Sequence, residues 1–499
     1  MECDYIIVQA GGKGTRLEHL TVNKPKCLVP INNLPMIFHL FRKFPDKKYI
    51  IIGDYKIEVL REYLKAFAEV NYLLVDSAGK HGTLSGLSDA LRLIPENKSF
   101  MLIWSDLVLA DEFEVPGSGE YIGISKDFKC RWMYKDHVFK EEPSKEYGVA
   151  GLFVFSNKQM LGNVPKEGEF VRWLGGKAIL FEELPLYKSK EYGLLSEYNK
   201  LQSPKCRPFN KLIVTEKKIT KIGIDQQGQK LAAQEKDWYR LVERFNYKSI
   251  PKIFSYEPFV MEKIQGQNIH EYNDISLENK KNILKTTIKE LETLHNLESA
   301  NTDYFSMKEA YTTKTFERLY KIRDLIPYAD NRYITINGRK CRNVYFYQKE
   351  LEKRLDNLDT KEFKLLHGDC TFSNIMLNDE KQPILIDPRG YFGFTKYYGD
   401  PAYDWAKLYY SLVGNYDQFN LKQFELSLAD HQVNLKISSN NWEMLEADFF
   451  ELLKEKVSRE QIKLIHAVIW LSLTTYAWED YDSICGAFYN GLYHLEDVL

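Results

Sequence analysis

The chain has 499 residues, of which 44% are hydrophobic and 28% charged, and its formal net charge at pH 7 is −2. This length accommodates two or three domains with complete cores, and the near-neutral charge argues against a nucleic-acid-binding surface. The seven cysteines are scattered without CxxC spacing, which argues against a zinc site or a disulfide framework and favours reduced thiols in the cytoplasm.

Apolar segments alternate with helical segments in the N-terminal part of the chain. The expected strands are Tyr5–Gln9, Tyr49–Gly53, Tyr72–Val75 and Phe100–Trp104, and the expected helices are Pro35–Arg42, Ile57–Ala68 and Leu84–Leu93. This alternation predicts an α/β domain whose parallel sheet is covered by helices on both faces. Since the first strand begins directly after the N-terminus, we expect no signal peptide.

A glycine cluster, Gly11-Gly12-Lys13-Gly14-Thr15-Arg16-Leu17, directly follows the first expected strand. Glycine lets backbone N–H groups approach phosphates closely, and the basic side chains in the cluster add positive charge. Lys26 is placed to neutralise an α-phosphate during nucleophilic attack, and Asp106, after a buried strand, is placed to hold Mg²⁺. The expected chemistry is in-line displacement at phosphorus, in which positioning and charge neutralisation supply most of the rate.

The glycine cluster and the following Thr21–Lys26 segment resemble the nucleotidyltransferase superfamily that makes sugar nucleotides and CDP-alcohols. The resemblance covers Tyr5 to Leu201 and implies a Rossmann-like, GT-A-like domain with a mixed sheet. It implies these roles: triphosphate binding by Gly11, Gly12, Gly14, Thr15 and Arg16, base and ribose contacts from the segment that begins at Gly82, catalysis by Lys26, and metal binding by Asp106. Where the family has a second metal aspartate, this chain has Glu191, so we expect a longer carboxylate in that place.

The stretch that follows Leu201 contains two prolines and no periodicity, which predicts a linker at residues 204–208 between domains at 1–203 and 209–499. After it we expect strands at Lys211–Thr215, Ile219–Ile224, Ile253–Tyr256 and Phe259–Lys263, with a helix at Lys230–Phe245. After Ser276 the chain reads as mainly helical. A small β-rich lobe at about 209–265 followed by a helical lobe at about 266–499 is the layout of a kinase-like α+β domain. The apolar stretch Leu464 to Leu473 is too short to span a bilayer.

The segment His367-Gly-Asp-Cys-Thr-Phe-Ser-Asn374 places an aspartate and an asparagine five positions apart, which is the spacing of a kinase catalytic loop. Asp369 would orient or accept the hydroxyl proton, and Asn374 would bind Mg²⁺. A further apolar run ends at Asp387, which would bind Mg²⁺ bridging the ATP phosphates. Three such residues in this order predict a kinase fold.

From Phe209 onward the chain resembles small-molecule kinases of the aminoglycoside-phosphotransferase and choline-kinase group. The resemblance implies that Lys221 contacts the ATP phosphates and that Glu235, on the next helix, pairs with it. It also implies structural roles for the acids Asp400 and Asp404. The aromatic side chains of the C-terminal helices could form a cage for a quaternary ammonium, but their helical spacing favours a core.

Arg389, two residues after Asp387, bears on the identity of the phosphate acceptor. Choline kinases tend to carry a Trp-Glu pair here, in which the acid suits a cation. An arginine about 4 Å from a quaternary ammonium would cost on the order of 4 kcal/mol at an effective dielectric of about 20. Arg389 would suit a neutral polyol, a sugar, or an acceptor with a carboxylate or phosphate. Arg389 would not oppose the binding of choline if its side chain pointed toward ATP or formed a salt bridge.

Together the motifs predict a bifunctional cytoplasmic enzyme. An ATP-dependent kinase would phosphorylate a sugar, polyol or related hydroxyl compound, and the nucleotidyltransferase would couple the product to an NTP, with CTP favoured, to give a precursor for cell-surface polysaccharide. Both domains would use Mg²⁺. The expected partners are small molecules, with neither nucleic acid nor membrane, and the oligomeric state stays open. The alternatives are a choline or ethanolamine kinase fused to a CTP:phosphocholine cytidylyltransferase, an antibiotic-modifying kinase with a vestigial first domain, and a non-catalytic scaffold.

Overall fold

The computed structural model describes residues 3–77, 79–117, 119–201, 210–429 and 431–499, which divide into two units. The first unit contains the described residues up to 201 together with the short segment Glu479–Asp482, and the second contains the remaining described residues. The linker expected at 204–208 lies outside the described residues.

The first unit is an α/β fold. Its strands are β1 (Tyr5–Gln9), β2 (Pro30–Ile31), β3 (Leu34–Pro35), β4 (Lys48–Gly53), β5 (Asn71–Asp76), β6 (Phe100–Trp104), β7 (Leu107–Val108), β8 (Tyr121–Ser125), β9 (Met133–Lys135), β10 (Val138–Lys140), β11 (Gly148–Phe155), β12 (Glu182–Leu186) and β13 (Lys190–Glu191). Its helices are α1 (Met36–Lys43), α2 (Ile57–Phe67), α3 (Leu87–Arg92), α4 (Phe170–Leu174) and α5 (Leu195–Tyr198).

The main sheet of the first unit is mixed, with the order β10-β9-β11-β6-β1-β4-β5 and with β8 and β12 joined through β11. Strands β6, β1, β4 and β5 run parallel, as the alternating pattern predicts, whereas β11 pairs antiparallel with β6 and β8. The purely parallel arrangement is therefore wrong, and the mixed Rossmann-like sheet is confirmed. Because β1 and β6 are parallel neighbours, their carboxyl ends lie at the same edge, where Gln9 is in register with Trp104.

The central strands form because they are continuous apolar runs that are buried on both faces. Ile7, Leu102 and Phe153 from three adjacent strands are fully buried in one core cluster. The expected strands β1 and β6 have the bounds given by the sequence, while α3 begins three residues later than expected. It does so because the preceding residues form turns, in which the N–H groups of Ser85 and Leu87 donate to the carbonyls of Gly82 and Leu84.

The second unit has a small β-lobe and a larger lobe rich in helices. Its strands are β14 (Asn210–Val214), β15 (Lys218–Gly223), β16 (Ile253–Tyr256), β17 (Phe259–Glu262), β18 (Gly266–Asn268), β19 (Ser299–Ala300), β20 (Tyr333–Ile336), β21 (Arg339–Arg342), β22 (Phe363–Leu365), β23 (Ile375–Asn378), β24 (Pro383–Leu385), β25 (Tyr391–Phe392), β26 (Thr395–Lys396), β27 (Tyr398–Gly399), β28 (Phe424–Ala429) and β29 (Gln432–Ile437). Its helices are α6 (Gln226–Arg244), α7 (Leu277–His295), α8 (Tyr304–Lys308), α9 (Lys314–Ile322), α10 (Val344–Asp356), α11 (Pro401–Leu412), α12 (Tyr416–Asn420), α13 (Glu446–Leu453), α14 (Arg459–Leu473) and α15 (Tyr481–Leu495).

The small lobe is a four-stranded antiparallel sheet with the order β14-β15-β17-β16, and α6 packs against β15. This arrangement, followed by the helical lobe, confirms the bilobal kinase-like fold. Buried aromatic side chains of the helical lobe, such as Trp405, Tyr410 and Trp470, lie in its core. No helix in the described ranges is long and apolar enough to cross a membrane.

The helical lobe also contains a sheet that the helical interpretation missed, with the order β21-β20-β29-β28. Its first hairpin turns at Asn337 and Gly338, which have φ values of 50° and 77°. An Asn-Gly pair directly after the β-branched run Ile334–Ile336 is a local signal for such a hairpin, so this turn could have been predicted from the sequence.

Candidate active sites

The glycine cluster of the first unit lies against Lys26. It joins β1 to a 3₁₀ helix, Thr15–Thr21, and a Cβ on Gly14 would lie 3.0 Å from Cβ of Lys26. A Cβ on Gly12 would meet nothing within 4 Å, so this part of the loop faces open space. The structure thus brings the cluster and the expected catalytic lysine together, with room beside the backbone for a ligand.

Lys26 forms an ion pair with Asp106, which follows β6. Both side chains are largely buried, so the pair is shielded from solvent. The other lysine of the Lys-Pro-Lys run, Lys24, has different partners: within the first unit it is buried and pairs with Asp480 at 3.1 Å and with Asp482. Lys26 therefore belongs to the candidate site, whereas Lys24 stabilises the fold of the first unit.

Glu191 lies beside Asp106 because β13 pairs with β7, with Glu191 opposite Leu107. A Cβ on Gly193 would lie 2.6 Å from Oε1 of Glu191 and 3.1 Å from both Oδ2 of Asp106 and a terminal nitrogen of Arg16. Three charged groups thus surround one point, and only glycine leaves that space free. Arg16 is 3.9 Å from Glu191.

The Asp106 carboxyl group influences the ionisation of Glu191. Burial raises the pKa of Glu191, and the neighbouring Asp106 raises it further, to about 7. Such a pair suits a divalent cation, and Mg²⁺ needs only one or two protein carboxylates because phosphates and water complete its shell. Consistent with this, no group of three or more His, Cys, Asp or Glu side chains in the described ranges forms a complete metal site.

Gly82 lies at the same edge of the sheet. The carbonyl oxygen of the next residue, Thr83, accepts a hydrogen bond from the Gln9 side chain at the end of β1. Gly82 has φ 90°, and a Cβ there would lie 2.2 Å from the carbonyl oxygen of Gly168. The close approach of the two backbones therefore requires glycine at this position, independently of any nucleotide contact.

In the second unit, Asp404 holds the catalytic loop in place. Its carboxylate accepts hydrogen bonds from the backbone N–H groups of His367 at 2.9 Å and Gly368 at 2.8 Å, and His295 lies 3.0 Å away. All of these groups are buried. A carboxylate with this many donors is a rigid support for the loop.

Asp369 projects from this loop and pairs with Lys407 of α11 at 2.9 Å. The Asn374 side chain donates to the Asp369 carbonyl at 2.8 Å and to its carboxylate at 3.0 Å. Burial on its own raises the pKa of Asp369, but Lys407 and Arg389 outweigh it and hold the pKa below its ordinary value. Asp369 is therefore an ionised acceptor, suited to orient a hydroxyl group.

Lys221 of β15 bridges two acids, 2.6 Å from Glu235 of α6 and 2.7 Å from Asp387. Burial raises the pKa of Glu235 to about 7, while Lys221 opposes that change. Asp387 adopts φ 53°, which is uncommon outside glycine, and such residues cluster at functional sites. The expected pairing of Lys221 with Glu235 is present, and Asp387 shares the same lysine.

Asn374 and Asp387 lie at the same end of a strand pair. β23 and β24 are antiparallel, and the N–H of Ile386 donates to the Asn374 carbonyl at 3.0 Å. Asp387 follows directly, and its side chain is about half exposed, at 53%. An amide and an accessible carboxylate at one strand end fit a Mg²⁺ ion that also binds phosphate oxygens.

Arg389 lies beside the catalytic loop, where its backbone N–H donates to the His367 carbonyl at 2.8 Å. Its guanidinium donates to the hydroxyl oxygens of Tyr403 at 2.9 Å and Tyr391 at 3.1 Å. Within the described residues its hydrogen-bond partners are neutral, so its charge is not used up in a salt bridge. Of the two conditions under which Arg389 would not oppose a choline acceptor, the salt bridge is thus absent among the described residues.

Lys407 is the residue of the kinase site that the sequence interpretation missed. It belongs to α11, whose other residues are mostly apolar or aromatic, and only 9% of its surface is exposed. A lysine in a buried helix needs a partner, and that requirement was the available signal. Its partner Asp369 is distant in sequence and could not be assigned from local spacing.

Two known protein families match separate segments of the chain. Residues 5–151 match the nucleotidyl transferase family, and residues 221–430 match the phosphotransferase enzyme family. The chain therefore joins a nucleotidyl transferase segment to a phosphotransferase segment, and both predicted resemblances are confirmed.

Several curated proteins are similar to part of the chain. Bifunctional protein GlmU of Methanocaldococcus jannaschii is 29% identical over 112 residues, which are 22% of this chain and 26% of that protein. The D-glycero-alpha-D-manno-heptose 1-phosphate guanylyltransferase of Campylobacter jejuni is 31% identical over 100 residues, 19% and 45% of the two chains. Mannose-1-phosphate guanyltransferase of Saccharomyces cerevisiae is 28% identical over 225 residues, 40% and 57%. The chain thus spans about a quarter of the length of the first of these relatives.

Two solved structures are similar to parts of the chain. The inositol-1-phosphate CTP transferase from T. maritima covers 40% of this chain and 92% of its own, at 13% identity and a TM-score of 0.34. Choline kinase LicA from Streptococcus pneumoniae covers 59% of this chain and 92% of its own, at 16% identity and a TM-score of 0.36.

Proposed function

We propose that the chain is a bifunctional enzyme that acts twice on one small molecule. The second unit transfers the γ-phosphoryl group of ATP to a hydroxyl group, and the first unit couples the phosphorylated product to a nucleoside triphosphate and releases pyrophosphate. One observation carries the proposal: each unit pairs a phosphate-binding lysine with the carboxylate of its metal position, Lys26 with Asp106 and Lys221 with Asp387. CTP is the favoured nucleotide.

In the kinase unit, ionised Asp369 orients the acceptor hydroxyl and receives its proton, while Lys221 contacts the ATP phosphates. Asn374 and Asp387 would hold Mg²⁺, which would supply positive charge to offset the charge that develops on the transferred phosphoryl group. Lys407 keeps Asp369 ionised and adds positive charge near the transferred group.

In the nucleotidyltransferase unit, the glycine cluster and Arg16 bind the triphosphate through backbone N–H groups and a guanidinium. Lys26 neutralises the α-phosphate as the phosphate of the second substrate attacks it. Asp106 and Glu191 would hold Mg²⁺, which stabilises the leaving pyrophosphate. Glu191 thus takes the place of the second metal aspartate.

Several relatives bear names that refer to phosphorylated sugars, including mannose 1-phosphate and a heptose 1-phosphate. This supports a sugar, polyol or related phosphate as the intermediate and an NDP-activated precursor of cell-surface polysaccharide, made in the cytoplasm, as the product. The uncompensated charge of Arg389 argues against choline or ethanolamine as the acceptor.

Two single variants test the proposal. The protein is incubated with ATP, each NTP in turn and a panel of sugars, polyols and amino alcohols, and ADP, pyrophosphate and product mass are measured. Asp369→Ala should abolish phosphorylation only, and Lys26→Ala should abolish pyrophosphate release only. Asp379→Ala and Lys129→Ala, at exposed positions, are the matched controls.

The outcomes separate the alternatives. Loss of both half-reactions in either folded variant would contradict the two-site scheme. Phosphorylation without nucleotidyl transfer for every NTP would instead indicate a kinase with a vestigial first unit. Phosphorylation of choline in preference to sugars and polyols would support the choline alternative.

A further inference from the structure

Four basic side chains of the second unit act on one another: two lie one turn apart on one face of α9, one follows Asp387, and one lies on α11, namely Lys314, Arg318, Arg389 and Lys407. Arg389 and Lys407 contact the catalytic loop. The turn before α9 lies at the same place, because the ring of its Tyr311 packs 6.1 Å from the ring of Tyr403, whose hydroxyl accepts a hydrogen bond from Arg389. Lys407 is buried and the other three are partly buried. They come from three separate parts of the chain, so no local sequence pattern accounts for their convergence.

Their charges are close enough to act on one another. Burial is the main cause that lowers the pKa of Lys314 well below its ordinary value, followed by the charges of Arg389, Arg318 and Lys407. Burial and then Arg389 also lower the pKa of Arg318. Like charges held together in a partly desolvated place destabilise the fold unless an anion joins them.

The acidic side chains among the described residues offset the charge of this cluster only in part. Lys407 pairs with Asp369, and Arg389 donates to two neutral tyrosine hydroxyls. Arg318 donates to the Ser472 carbonyl at 2.6 Å and to its hydroxyl at 3.0 Å. For Lys314 the described part of the chain offers neither a hydrogen bond nor an ion pair, and Glu309 acts on it less than the three cations do.

The backbone before Lys314 is irregular. Residues Glu309–Thr313 form a π-helical turn between α8 and α9, and Lys314 is the first residue after it. π-helical turns inserted between α-helical segments occur frequently at functional sites. Here the turn sets the direction of the face of α9 that carries Lys314 and Arg318.

We propose that the acceptor phosphorylated by the second unit carries a carboxylate or phosphate group, which Lys314, Arg318 and Arg389 bind. The inference rests on the proposed kinase function and specifies its substrate class. Guanidinium groups bind planar oxyanions through paired hydrogen bonds, and a lysine adds a point charge. An ammonium group would be repelled at the same place.

The transfer is balanced in this arrangement. The acceptor hydroxyl oxygen forms a bond to the γ-phosphorus of ATP, and the bond from that phosphorus to the β,γ-bridging oxygen breaks. ADP leaves with the electron pair, and the hydroxyl proton passes to Asp369. The acceptor's own anionic group remains bound to the cluster and takes no part in bond making.

Acceptors matched in skeleton and different in charge test the inference: glycerol, D-glycerate and glycerol 3-phosphate, then glucose, gluconate and glucose 6-phosphate, with choline as the cationic probe. ADP formation and product mass are measured with ATP. We expect kcat/KM to be about 10- to 100-fold higher for an anionic member than for its neutral counterpart. A comparison of kcat/KM between the acceptors that carry a carboxylate and those that carry a phosphate shows which anionic group is bound. Equal or better turnover of neutral acceptors or choline would overturn the inference and leave the kinase function standing.

Substitutions in α9 test whether the preference for anionic acceptors depends on this helix. Lys314→Gln should raise the KM for the anionic acceptor about 10- to 100-fold with the KM for ATP unchanged, and Lys314→Arg should retain the preference. Lys321→Gln, on the exposed side of the same helix, is the control. A rise in the KM for ATP instead would assign the cluster to the nucleotide and overturn the inference. Absence of any phosphorylation by a protein that binds ATP would contradict the kinase function itself.

Discussion

In each candidate site a lysine pairs with the carboxylate at the expected metal position, and the two sites differ in the charged groups that adjoin this pair. In the first unit Lys26 pairs with Asp106, and a second carboxyl group, Glu191, adjoins the pair. In the second unit Lys221 is shared by Glu235 and Asp387, and the surplus near Asp369 is positive. The first site is thus prepared to gain a cation, whereas the acceptor side of the second is prepared to gain an anion. Nucleotide chemistry alone does not require this difference between the two sites. We therefore attribute the difference to the ligands other than the nucleotides.

The largest expected effect tests the shared arrangement. Asp387→Asn removes one partner of Lys221 and the accessible carboxylate of the metal position, so kinase turnover should fall about 10³-fold. Pyrophosphate release with a supplied phosphorylated substrate should be unchanged. Asp379→Asn, in the turn that joins β23 to β24, is the matched control. A loss of less than tenfold would show that Asp387 is not needed for phosphoryl transfer.

A smaller effect tests the second carboxylate of the first unit. Glu191→Gln should lower the rate of pyrophosphate release about 10²-fold and raise the Mg²⁺ concentration needed, because the cation loses one of two charged ligands. Glu191→Asp should recover part of the rate. Glu183→Gln, exposed on β12, is the control. If both Glu191 variants behave like the wild type, Asp106 is sufficient and the comparison between the sites loses its basis.

The smallest effect is a pH dependence that should separate the two half-reactions. The pKa of Glu191 is about 7, so the group is protonated below that pH and ionised above it. At limiting Mg²⁺ the apparent Mg²⁺ affinity of the nucleotidyltransferase should therefore fall about tenfold per unit as the pH drops below 7. The pKa of Asp387 and that of Asp369 both lie below their ordinary values, so the kinase should keep its Mg²⁺ affinity over this range. An equal decline in both half-reactions, or persistence of the decline in Glu191→Gln, would contradict this assignment.

The spacing of residues close together in the sequence predicted much of the fold and of the two candidate sites. The interval between Asp369 and Asn374, the apolar run before Asp387 and the glycine cluster after β1 predicted two families and two folds that are confirmed. Apolar alternation placed the central strands within a residue at each end, because fully buried strands leave a strong pattern. The roles of the individual site residues stay predictions until the variants are measured.

The remaining features of the fold and of the sites could not be predicted from the sequence, because they depend on contacts between distant parts of the chain. Nothing near Lys407 indicates that it meets Asp369, and nothing near Lys314 indicates that it faces Arg389. The antiparallel half of the first sheet depends on β11 pairing with both β6 and β8. Only the hairpin at Asn337 and Gly338 carried a local signal that the helical interpretation overlooked.

The support that Asp404 gives to the catalytic loop has a consequence for how acceptor choice could evolve. Because that carboxylate ties the backbone of His367 and Gly368 to α11, the loop, Lys407 and Tyr403 form one rigid frame. The residues of α9 stand outside this frame, so the proposed roles predict that exchanging Lys314 or Arg318 alters which molecule is accepted without displacing Asp369. On that proposal selectivity and catalysis are separable by mutation, and α9 is the place to begin redesigning acceptor choice.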